Sequence, residues 1–90
     1  MTSMTGYAYV VSWGSGCDEF GFNTYVSARD AREEYASLDA DTISDIEGGR
    51  PCWVAIEKVE MLDSAGLPTD SIDRFEHQGE TETVAVKVSR

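Results

Sequence analysis

No apolar run in this chain approaches the roughly 18 residues needed to cross a bilayer. Its start, "MTSMTGYAYVVSW", has neither a basic leader nor the apolar stretch of a signal peptide. A cytoplasmic protein is expected. Histidine occurs once, at His77, and cysteine twice, at Cys17 and Cys52. That set is too small, and too scattered for paired ligand spacing, to build an ordinary zinc site. With no export signal, both cysteines read as free thiols, Cys52 buried within a strand. Cations are scarce as well: seven Lys and Arg stand against seventeen Asp and Glu, for a net charge of −10. Such a charge repels nucleic-acid phosphates and anionic membranes, which excludes both as direct partners and leaves basic proteins.

Catalytic and cofactor motifs are also lacking. "GSGCDEFG" has a G-x-G, but a phosphate cradle needs its glycines to lead into a helix N-terminus, and here a second strand follows. "DADTISDIEGGR" places Asp39, Asp41 and Asp45 at positions 1, 3 and 7 of a calcium loop. However, Ser44 stands where the tight turn needs glycine and Arg50 where a bidentate glutamate belongs. Cys17 is flanked by Asp18 and Glu19, which oppose thiolate formation. No catalytic, cofactor-binding or metal-binding residue is assigned, and a non-enzymatic protein is expected.

What is present is enough apolar and aromatic material for one small core: 41% hydrophobic residues in a single domain spanning residues 1–90. "YAYVVSW" alternates Tyr7, Tyr9, Val11 and Trp13 against Ala8, Val10 and Ser12, as a central strand would. "FGFNTYV" reads as its hairpin partner. Ser27 with Asp30 three residues on opens a helix whose Ala28, Ala31, Tyr35 and Leu38 form an apolar stripe. A second short helical turn is expected over roughly Thr42 to Glu47, capped by Asp41, burying Ile43 and Ile46 and ending at Gly48 and Gly49. "CWVAIEKVEML", Cys52 to Leu62, is a long strand with a buried first half and an exposed second half. Trp53 is expected in the core beneath the helix stripe. The C-terminal segment reads as a closing hairpin around Gln78 and Gly79, or with a short helix between Asp70 and His77, before the alternation of Val84, Val86 and Val88. The expected fold is an α+β two-layer sandwich in which an antiparallel sheet of four or five strands carries one main helix on one face, in the order β-β-α-β-β.

Two acidic blocks stand out. Residues 27–49 hold seven carboxylates against two arginines, and residues 57–82 hold eight against Lys58 and Arg74. Duplex DNA carries about one charge per 1.7 Å of axis, so carboxylates on a rigid helix can compete for a groove lined with Arg and Lys. The expected partner-binding residues are Glu33, Glu34, Asp39, Asp41, Asp45 and Glu47, acting on a basic protein such as a nucleic-acid-binding complex. An acidic exterior also simply solubilises a small protein. In size, acidity and element order the whole chain resembles the small phage-encoded inhibitors of bacterial defence, anti-CRISPR proteins among them. The resemblance implies an inhibitor and carries over no functional residue. The alternative is a small accessory or dimerising module whose exposed strand, Glu82 to Val88, pairs with a second copy or another sheet.

Overall fold

The computed structural model describes residues 6–90. Tyr7–Ser15 forms β1 and Asp18–Tyr25 forms β2, an antiparallel hairpin turning at Gly16 and Cys17. Two helices follow, α1 over Ala28–Ser37 and α2 over Ala40–Ile46, then β3 over Trp53–Leu62, a 3-10 turn at Ile72–Arg74 and β4 over His77–Val88. The four strands pair antiparallel in the order β2-β1-β3-β4, so β1 is central as expected. The fold is α+β, with the element order β-β-α-α-β-β in place of one main helix.

The Ser27 hydroxyl caps α1 by accepting from the Asp30 N–H at 3.3 Å. Ala31 is fully buried, and Tyr35 and Leu38 pack beside it, so the apolar stripe does face the sheet. The second helix starts two residues earlier than expected. Asp39, not Asp41, caps it, accepting from the Asp41 N–H at 3.1 Å and the Thr42 hydroxyl at 2.9 Å. That start turns Ala40, Ile43 and Ser44 inward and leaves Ile46 74% exposed, where burial was expected. Gly48 and Gly49, both at positive φ, then release the chain from the helix.

Residues paired directly across strands share a face of the sheet. On the helix side run the rows Asn23–Val11–Ile56–Ala85 and Gly21–Trp13–Val54–Lys87. Val11, Val54 and Ile56 form the core with Ala31 and Ala40. Trp53 is not in that core. It pairs with Gly14 and Val88 on the face away from the helices, because Val54 and Ile56 take the helix side of the same strand. Its half-buried indole lies over Gly14 and donates from Nε1 to the Gly16 carbonyl at 2.9 Å.

The second half of β3 is not exposed either: Val59 and Met61 are 2% and 0% accessible. Residues 63–76 fold back along it, with the Thr69 N–H donating to the Met61 carbonyl and Leu62 bridging Pro68. The hairpin expected around Gln78 and Gly79 is absent, since both lie within β4, and the short-helix alternative contracts to the 3-10 turn. Cys52 is buried and Cys17 exposed, both free. The radius of gyration, 14.6 Å, exceeds the about 12 Å of a compact chain of this length. The sheet is longer than two short helices can cover.

Candidate functional site

The face of the sheet away from the helices carries the row Phe22–Ser12–Ala55–Val86 across all four strands. Next to it runs Thr24–Val10–Glu57–Thr83, and beyond that Ala8–Val59–Thr81. Among the described residues neither α-helix packs on this side. Phe22, Val86 and Val88 are 57%, 55% and 67% exposed at its margins, while Ala8, Ser12, Ala55 and Val59 between them are buried. Over the second row lies a groove of about 470 Å³. Val10 and Val59 contribute apolar surface, Phe22 and Phe75 contribute rings, and the charged groups are Glu19 and Glu57. Down β3 the residues facing this side run Ala55, Glu57, Val59, a carboxylate between two apolar positions. Glu57 is half-buried on a central strand, and among the described residues it forms no ion pair.

The distribution of cations explains why such carboxylates stand alone. Lys87 lies over the Tyr35 ring and donates to the Tyr35 carbonyl; Lys58 lies 4.2 Å from the centre of the Tyr7 ring. Arg50 sits over Phe20 and reaches Asp18 at 3.6 Å, and Arg29 meets Glu33 at 3.6 Å. Four of the seven cations thus meet a partner within the molecule, two of them on exposed side chains, and only two of the seventeen carboxylates are in ion pairs among the described residues. Both of those pairs are solvent-exposed and contribute little to stability.

The six acids expected to bind a partner have different surroundings. Glu33 and Asp45 are exposed, on α1 and α2 respectively. Asp39 caps α2, and Asp41 accepts the Arg90 N–H at 2.8 Å, so these two hold the fold together as well as carrying charge. Glu47 is the C-cap residue of α2. Glu34 lies beside Tyr25 at the end of β2; partial burial first, and then the Glu34 and Asp30 carboxylates, raise the Tyr25 phenol above its ordinary value. Burial raises Tyr35 likewise.

The sheet edges are β2 and β4, and both are interrupted. The β1–β2 register shifts at Trp13 and Gly14, with Phe20 the extra residue. The β3–β4 register shifts twice, between Ile56 and Glu57 and between Val59 and Met61. Bulges and flanking charge such as Asp18, Glu19 and Glu82 are the devices that discourage edge-to-edge pairing. Among the described residues no helix is long and apolar enough to cross a membrane.

No family model matches this chain. No curated protein and no solved structure matches it either.

Proposed function

We propose that the chain is a non-enzymatic, cytoplasmic binding protein that docks its carboxylate-rich exterior on a basic protein. The specific form is an inhibitor that occupies a nucleic-acid-binding groove, as the phage-encoded anti-defence inhibitors it resembles would. The observation carrying this reading is the charge asymmetry: among the described residues only two of the seventeen carboxylates stand in ion pairs, and four of the seven cations already contact a ring, a carbonyl or one of those two carboxylates. A net charge of −10 with so few compensating cations produces a negative field that attracts a basic partner at long range. Edge pairing with a second copy is less well supported, because both edge strands are bulged.

Affinity capture from host lysate tests the proposal, using the parent chain beside a variant carrying Glu33→Lys and Asp45→Lys. These two positions are exposed and sit at neither helix cap. Basic nucleic-acid-binding proteins should be retained by the parent and lost from the variant. Retention of neutral proteins by both chains equally would contradict the proposal.

A further inference from the structure

The groove on the open sheet face has a chemistry of its own. Its charged members, Glu19 and Glu57, are both carboxylates, and among the described residues no cation lines it. Glu57 stands on the central strand β3 between Ala55 and Val59, with Val10 directly opposite on β1. Phe22 and Phe75 lie on the same groove and present aromatic surface, which attracts cations by its negative face. A half-buried carboxylate without a cation, framed by apolar and aromatic groups, is complementary to a guanidinium or ammonium group on an apolar stem.

Resting on the reading of a basic partner, we infer that this groove is where that partner anchors, by one Arg or Lys side chain seated on Glu57 and flanked by apolar side chains. The charge sign chooses the occupant. A second copy would bring −10 against −10 and set Glu19 and Glu57 against their own duplicates. A nucleic acid would be repelled for the same reason. The spacing chooses the partner's pattern. Val10, Phe22 and Phe75 keep apolar surface accessible around Glu57, so an extended segment reading apolar-x-cation-x-apolar, whose alternate side chains share one face about 6.8 Å apart, sets its cation on Glu57 and its apolar side chains on theirs. The helix acids then steer the partner from a distance, and the groove holds it.

Nuclear magnetic resonance titration of the ¹⁵N-labelled chain with three synthetic peptides tests this. The first is acetyl-Ser-Leu-Ser-Arg-Ser-Leu-Ser-amide; the second replaces both leucines by glycine, and the third replaces the arginine by glutamate. The first should shift the amides of Val10, Phe22, Thr24, Glu57 and Val59. The second should bind about tenfold more weakly or less, and the third not at all. Glu57→Gln, an isosteric change, should weaken the first peptide by about tenfold while leaving the rest of the spectrum in place. Shifts confined to α1 and α2, equal for both arginine peptides and indifferent to Glu57→Gln, would overturn the groove assignment while leaving the basic-partner reading standing. Absence of binding by either arginine peptide at low salt would count against both.

Discussion

Lys87 on β4 and Tyr35 on α1 are joined twice: the ammonium donates to the Tyr35 carbonyl at 2.7 Å and lies 4.5 Å from the centre of the Tyr35 ring. The contact ties the helix layer to an edge strand across 52 residues of sequence. It also withdraws a cation from the exterior. Lys87→Met keeps much of the stem packing and loses both polar contacts, so it should destabilise the chain by about 1–2 kcal/mol, a charged hydrogen bond discounted for partial exposure. Urea unfolding with an unchanged slope measures this. A change below about 0.5 kcal/mol would mean that the contact adds nothing.

Gly14 should admit no side chain. A Cβ there would collide with the Asp18 carbonyl oxygen and come within 2.9 Å of both the Trp53 ring and the Glu19 Cα. Backbone cannot move aside as a flexible side chain can, so Gly14→Ala should cost about 3 kcal/mol or more, the upper end for overpacking. Trp53 emission should change with it, because the indole loses its seat. Parent-like melting and emission would contradict this packing.

The acids of α2 should separate by role. Asp39→Ala removes the cap from two donors and should cost about 0.5–2 kcal/mol. Asp45→Lys, on the exposed side of the same helix, should change stability by less than about 0.5 kcal/mol. Equal losses from the two variants, measured by thermal melting, would show that Asp39 caps nothing.

How legible the fold was from sequence depended on the range of the interaction. The β1–β2 hairpin, the Ser27 cap and the Ala31–Tyr35–Leu38 stripe rest on contacts within a few residues, and local spacing reveals them. "CWVAI" is apolar on both faces, so local spacing does not say which face meets the helices; the fit of Val54 and Ile56 against Ala31, a long-range matter, turns Trp53 to the other side. Asp39 and Asp41 compete as caps two residues apart, and the competition is decided by burying Ala40 and Ser44. Met61 is buried by residues 63–76 folding back, which no periodicity within β3 could announce. The candidate groove suffered most. The alternation of "FGFNTYV" groups Phe22 with Thr24, but their meeting with Val10 and Glu57 depends on pairing register across three strands.

Alkaline pH should loosen the fold through its tyrosines. Tyr25 and Tyr35 both hold their protons more tightly when folded than the ordinary phenol value of 10.0. Between that value and the raised folded values, the unfolded chain has lost protons that the folded chain keeps, so stability is full below about pH 10 and falls as pH rises through that window. Tyr25→Phe should flatten part of the fall, since no ionisation then has to occur beside Glu34 and Asp30. A parent chain whose unfolding midpoint in urea is constant across this window would contradict the shifts.

Whether the acidic exterior attracts a basic partner is read from the association rate constant with the captured partner, measured from low to high salt. Association should slow by orders of magnitude as salt rises and the dissociation rate should change far less, because the long-range attraction is screened while the seated contact is not. Association equally fast at every salt concentration, in the parent and in the Glu33→Lys, Asp45→Lys variant alike, would contradict it.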